Sequence, residues 1–137
     1  MGLDTTHGCW HGAYSAFYRW RGALARSAGI GERTFTWHGR DRQEADIDWE
    51  SITEANLAGE WNECPDDPLI ILIAHSDCDG LIMHEHTIAL AERLEELLPA
   101  LTGMDLGGHV GNVVEKTQTF IDGLHCAFEA CEDVEFH

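Results

Sequence analysis

The sequence predicts an α+β (or α/β) fold: one two-layer domain over residues 1–137, with about three helices packed on a small sheet of three to four strands. Three observations carry this. Three stretches repeat apolar residues at helical spacing, two short stretches alternate as strands do, and one apolar run, Leu69–Ala74, has the length of a strand buried on both faces. That run is expected to be the central strand. Pro68 precedes it and Gly80 follows it, and both punctuate structure.

The first helix is expected from about Ala13 to Ala28, with Asp4, Thr5 and Thr6 as candidate N-caps and Gly29 as its stop. Tyr14, Phe17, Tyr18 and Arg21 share one face, and Phe17, Trp20 and Leu24 an adjoining one. Arg21 therefore lies along the apolar side, to snorkel outward or to meet a buried carboxylate or a ligand anion. His7 and His11, spaced i, i+4, share a face if the helix starts early enough. Thr34–Trp37 and Asp46–Glu50 alternate as short strands, with a polar turn or loop between them. Trp37, Trp49 and Trp61 suit core or lid positions.

The second helix is expected over Ile82–Leu98, ended by Pro99, with His84 on its apolar face beside the preceding loop. A glycine-rich link leads to the third, capped by Asn112 and buried along Val113, Thr117, Phe120, Ile121, Leu124, Phe128 and Cys131. Cys126 and Cys131 read as inert core fillers. Val134–His137 alternates like a strand at the sheet edge.

The net charge of −17 is uneven. Residues 1–42 hold six arginines against three acids, whereas residues 43–137 hold one arginine and one lysine against 22 acids. An acidic body of this strength repels nucleic acid and anionic membrane, so neither is an expected partner. The bland account of the arginines is that they pair with the acidic body. Without a run of about 18 apolar residues or a signal-peptide pattern, the chain reads as cytoplasmic. Five cysteines, an odd number without CxxC spacing, argue for reduced thiols rather than a disulfide framework or a zinc ribbon.

The chemistry concentrates in the HSDCDG loop at residues 75–80. His75, Asp77 and Asp79 alternate, so an extended segment points all three one way and Cys78 the other. With His84, these residues form a candidate site for zinc or manganese, which take such mixed nitrogen and oxygen ligands. The loop is not an EF-hand, because Ile88 stands where the twelfth-position Glu belongs. As a metal-free pocket, His7, His11, Tyr14, Arg21, His75, Asp77 and Asp79 would line a cleft for a small anionic ligand. The purely structural account makes Asp77 and Asp79 helix caps, His75 a satisfied buried histidine and Cys78 a core residue.

His75, Asp77, Asp79 and Gly80 resemble the HxDxDG element of DHH-type phosphoesterases over six residues; the resemblance implies manganese ligands and phosphodiester hydrolysis. The blocks DTTHGCWHGAYSAFYRWR, HSDCDG with AERLEELLP, GGHVGN and VEFH resemble a family of small proteins of actinobacteria and their phages, over most of the chain outside residues 30–65. That family brings no established activity. Seven arginines to one lysine suit a GC-rich source.

Three functions follow as expectations. The first is a non-enzymatic module that binds a small anionic molecule or a protein partner, with Arg19 or Arg21 as anion contacts; in a phage setting, sequestering a host nucleotide signal would fit. The second is a metal-dependent hydrolase with His75, Asp77, Asp79 and His84 as ligands. The third is an acidic interaction protein that mimics nucleic-acid charge. No glycine-rich phosphate loop, GxSxG elbow or Cys-His nucleophile pair is legible in the sequence.

Overall fold

The computed structural model describes residues 2–30, 32–37, 40–45, 49–108 and 110–137, with 32–37, 40–45 and 49 described by their backbone. The fold is α+β. In chain order it has β1 (Gly2–Asp4), a 3-10 turn at Thr6–Gly8, β2 (His11–Ala13), α1 (Tyr14–Ser27), β3 (Glu32–Trp37) and β4 (Arg40–Ala45). A 3-10 turn at Trp49–Ser51, α2 (Glu54–Leu57), α3 (Leu69–Ile73), β5 (Leu81–Ile82), α4 (His84–Leu101), α5 (Val113–Ala130) and β6 (Val134–Glu135) follow.

The expected central strand is a helix. Leu69–Ile73 is α3, and the described strands form antiparallel pairs, β1 with β2, β3 with β4 and β5 with β6, rather than one sheet. The reason lies just upstream. Asp67 Oδ1 accepts from the Leu69 backbone N–H at 3.0 Å, and Pro68 takes helical angles (φ −57°, ψ −22°). An Asp-Pro pair at this point starts a helix as readily as it borders a strand, and an apolar run this short has no period to decide between them.

Phe17 and Trp20 of α1 form a buried aromatic cluster with Trp10, Phe120 of α5 and Phe136, at centroid separations of 5.1 to 6.0 Å. Leu24, Leu69, Ile71, Leu72, Leu90, Leu94 and Leu124 extend this core with almost no exposure. The indole Nε1 of Trp20 donates to Thr117 Oγ1 at 3.0 Å, so its one polar group is satisfied inside.

Arg21 does not snorkel outward. It is buried, its Nη1 donates to the carbonyls of Leu72 (3.2 Å), Ile73 (3.2 Å) and His75 (2.6 Å), and its guanidinium lies 4.4 Å from the centre of the Phe17 ring. These carbonyls end α3, where a helix has acceptors without partners and a partial negative charge.

Other local expectations fare unevenly. α1 starts after Ala13, not after Asp4 to Thr6, because residues 2–4 and 11–13 pair as a hairpin. Its C-terminal turn closes on Gly29 at φ +71°. α4 runs through Pro99 to Leu101, since the missing N–H of a last-turn proline does not stop the turn it sits in. Asn112 caps α5, accepting from the Glu115 N–H at 3.2 Å. Phe128, Cys126 and Cys131 are exposed rather than in the core. Thr34–Trp37 lies in β3, while Arg40–Ala45, expected as loop, is its partner β4. The strand expected at Asp46–Glu50 falls mostly outside the described residues, as do the side chains of Trp37 and Trp49. Trp61 packs partly buried against the core.

The loop after α3 lies against the turn after α2 so closely that two glycines are required. A Cβ on Gly59 (φ +85°) would stand 1.5 Å from the Leu81 carbonyl oxygen, and one on Gly80 (φ +89°) 2.6 Å from that of Ala58. Gly29→Ala, at a left-handed position with nothing within 4 Å, is expected to cost about 1 kcal/mol in urea unfolding. Gly59→Ala should cost several times more, because both backbones must part. Equal losses for the two variants would refute the close-approach argument.

Candidate functional site

The residues expected to form a site in the 75–80 loop do not converge on one. Both ring nitrogens of His75 are engaged: Nδ1 lies 2.6 Å from the Ser76 carbonyl oxygen and Nε2 2.8 Å from that of Leu81, while the ring stacks on Phe136 at 4.0 Å. Asp79 Oδ1 accepts from Ser76 Oγ at 2.7 Å, and the half-buried Asp77 opposes, by its charge, the fall that burial imposes on the Arg21 guanidinium, to about 10. Neither aspartate caps α4. That place is taken by Asp133, whose Oδ1 accepts from the His84 N–H at 2.8 Å and lies 3.3 Å from His84 Nδ1. His84 is thus half exposed and turned to Asp133, and its expected place on the apolar face goes to the buried His86, whose Nε2 donates to the Trp61 carbonyl at 3.0 Å. Cys78 is exposed.

His75, Asp77, Asp79 and His84 therefore do not fit a metal, as both nitrogens of the buried His75 are closed in by backbone carbonyls and His84 faces another partner. Among the described residues, no three His, Cys, Asp or Glu side chains come together as an ion requires. The likeness to the HxDxDG element also presupposes a strand before the loop, and a helix stands there. The anion cleft drawn from Arg21 and His75 loses its donors to backbone carbonyls. Arg19, the other anion contact considered, donates to the Leu106 carbonyl. Tyr14, the first residue of α1, packs partly buried against the core.

His7 and His11 part company, because the segment that holds them is a turn and a strand rather than a helix. His11 in β2 pairs with Asp4 at 3.5 Å, its side chain 89% exposed. His7 lies in the 3-10 turn with left-handed angles (φ +60°, ψ +12°), followed by Gly8 at φ +68°. This turn lays the ring, 13% exposed, against the C-terminal half of α5. There its Nδ1 is 3.4 Å from Cys126 Sγ, and its Nε2 is 3.6 Å from Glu132 Oε1.

Cys126, His7 and Glu132 thus stand in line as thiol, imidazole and carboxylate, the order that a nucleophile, base and orienting acid would need. With the proton on Nε2, towards Glu132, the Nδ1 lone pair accepts the Cys126 S–H. Backbone strain marks the same place. Two non-glycine residues among those described have positive φ, His7 and Cys131 (φ +54°). The first presents the imidazole, and the second ends α5 and turns the chain directly before Glu132. A left-handed L-residue costs roughly 1–2 kcal/mol, and such strain gathers at functional sites. The contact joins residues 119 positions apart and leaves no local pattern. One signal was readable: Gly123, inside an otherwise regular helix and one turn before Cys126, marks a close approach by another backbone.

Next to this array, Gly8, Cys9, Trp10 and His11 face Asn112, Glu115, Lys116 and Thr119 of α5 across an open concavity of about 340 Å³. The Lys116 ammonium lies 4.9 Å from the centre of the Trp10 ring. No helix of the described residues is long and apolar enough to cross a membrane. Compared with known proteins, the chain matches no family model, and neither a curated protein nor a solved structure shows significant similarity to it.

The His75 environment has a consequence for pH. Burial, foremost, and the Arg21 charge lower its pKa from 6.5, and the two carbonyl contacts and Asp79 offset only part of this. Below pH 6.5 the unfolded chain therefore takes up a proton that the folded chain resists. The stabilisation is complete above that pH and is lost as pH falls through the folded value. The urea midpoint is expected to drop between pH 7 and pH 5.5, with a shallower drop in His75→Gln; equal slopes would show that His75 does not contribute.

Proposed function

We propose that the protein works through Cys126 as a nucleophilic thiol, which forms a transient covalent bond with a small electrophile. His7 takes the thiol proton at Nδ1, and Glu132 favours the tautomer that leaves this nitrogen free. The observation that carries the reading is the 3.4 Å contact between His7 Nδ1 and an exposed Cys126 Sγ, set by two left-handed residues. A reducing compartment, the cytoplasm, suits five free cysteines.

A second reading keeps the small anionic ligand and moves it to the concavity between Gly8–His11 and α5. Lys116, the single lysine of an acidic chain, supports it, with Asn112 and His11 beside it. Titration with inorganic phosphate should then shift the Trp10 indole N–H resonance, and Lys116→Met should abolish the shift. An unmoved resonance at millimolar phosphate would dismiss this ligand class.

The thiol reading is tested by iodoacetamide labelling with peptide mass spectrometry. Cys126 is expected to react faster than exposed Cys64, and His7→Asn, which tolerates the left-handed turn, should slow it by about tenfold or more. A Cys126 rate equal to that of Cys64, or indifferent to His7→Asn, would refute the assignment.

A further inference from the structure

We propose that Cys9 is the partner thiol of Cys126, and that the two form a two-electron couple reducing a small neutral peroxide. This rests on the reading of Cys126 as nucleophile and names the electrophile.

The argument begins at Gly123. A Cβ there would lie 2.4 Å from Cys9 Sγ and 2.9 Å from both Cα and N of Cys9, so Cys9 is pressed directly onto the α5 backbone. Cys126 follows three residues later, on the same face of the helix. Two residues before Cys9, His7 places its imidazole on Cys126 Sγ. The same turn thus sets the base on Cys126 and lays Cys9 on α5 three residues from Cys126.

The two thiols differ in the way a sequential reaction needs. Cys126 is open to solvent, and Cys9 is 1% exposed. Burial pushes the Cys9 thiol up to about 12; the Thr5 hydroxyl opposes this, and negative charge on Cys126 adds to it. Its burial shields Cys9 from outside oxidants, so only an electrophilic sulfur brought next to it can meet it. Cys131 is the left-handed residue that ends α5, five positions after Cys126, and Cys64 and Cys78 lie on other segments.

In the first step the Cys126 proton passes to His7 Nδ1, and the sulfur attacks one peroxide oxygen. The O–O bond breaks, and the leaving oxygen takes the proton from His7 as water or an alcohol. Cys126 is now a sulfenic acid, having lost two electrons. In the second, the Cys9 sulfur displaces hydroxide from the Cys126 sulfur, and the hydroxide leaves as water with the Cys9 proton. Two thiols and one peroxide give a disulfide, water and a second water or alcohol. An external thiol restores the pair by exchange. The charge of residues 43–137 repels anionic oxidants and leaves neutral hydrogen peroxide and small organic hydroperoxides as the class that reaches an exposed sulfur.

The test treats the reduced full chain with one equivalent of hydrogen peroxide and maps cysteines by peptide mass spectrometry, with dimedone to trap sulfenic acid. A Cys9–Cys126 disulfide is expected in the unaltered protein, and in Cys9→Ser a dimedone adduct on Cys126 in its place. Cys126 oxidised while Cys9 stays reduced, whether as sulfinic acid, paired with Cys131 or linked between chains, overturns the couple and leaves the nucleophile intact. Cys126 oxidised no faster than Cys64 overturns both. The map of the unaltered protein decides between these outcomes even if Cys9→Ser does not fold.

Discussion

The structure depends on one buried cation meeting one buried helix end. α3 is five apolar residues whose side chains fill the core, and its last carbonyls point into protein rather than water. An unpaired buried acceptor costs about 1–3 kcal/mol, and α3 brings several together. Arg21 meets the carbonyls of Leu72, Ile73 and His75 with one guanidinium nitrogen from the neighbouring α1; that of Leu72 also accepts from the His75 N–H. Because the third belongs to His75, the same contact fixes the loop that follows. His75 reaches across that loop to Leu81, and Gly59 and Gly80 allow the backbones to close on each other.

From His75 the constraint passes to the C-terminus. Phe136 stacks on the imidazole, and its N–H donates to the Gly80 carbonyl at 2.9 Å. On its other side the terminal segment holds the N-terminal turn: Glu135 N–H donates to Thr6 Oγ1 at 2.9 Å, and His137 and Asp4 exchange backbone hydrogen bonds at 2.8 and 3.1 Å. Glu132 enters from one end of this bridge and His7 leaves from the other. The contacts around Cys126 are thus assembled by residues 4–9 and 132–137, though Cys126 itself sits on the long helix α5.

This explains what was legible in the sequence. α1, α4 and α5 announce themselves because each buries one face over several turns, so periodicity and caps such as Asn112 and Gly29 report them directly. Leu69–Ile73 is ambiguous because a segment buried all round has no exposed side to show its period, and its length was weighed over the Asp67-Pro68 start beside it. The HSDCDG loop drew attention through residue types that bind ions elsewhere. Here those groups turn to carbonyls, to Ser76 and to Arg21, and only the tertiary structure says which acceptor a histidine finds. Cys126 is hidden for a related reason. The expected buried stripe of α5 runs on to Cys131, but the helix ends at Ala130, and Cys126 and Cys131 are both exposed.

The strain at His7 and Cys131 is sustained by that terminal bridge. Each left-handed residue costs roughly 1–2 kcal/mol, and a free terminus would relax by taking ordinary angles. Relaxation at His7 would swing the Thr6 hydroxyl away from Glu135, and relaxation at Cys131 would move Val134 and Phe136 off Ile82, Gly80 and His75. Several backbone hydrogen bonds and a buried aromatic ring oppose both changes together, at about 1 kcal/mol for each hydrogen bond. The arrangement that holds the imidazole on the sulfur is thereby coupled to the arrangement that holds Arg21 Nη1 on the carbonyls after α3. Loosening the buried cation should be felt at the thiol, although the two share no direct contact.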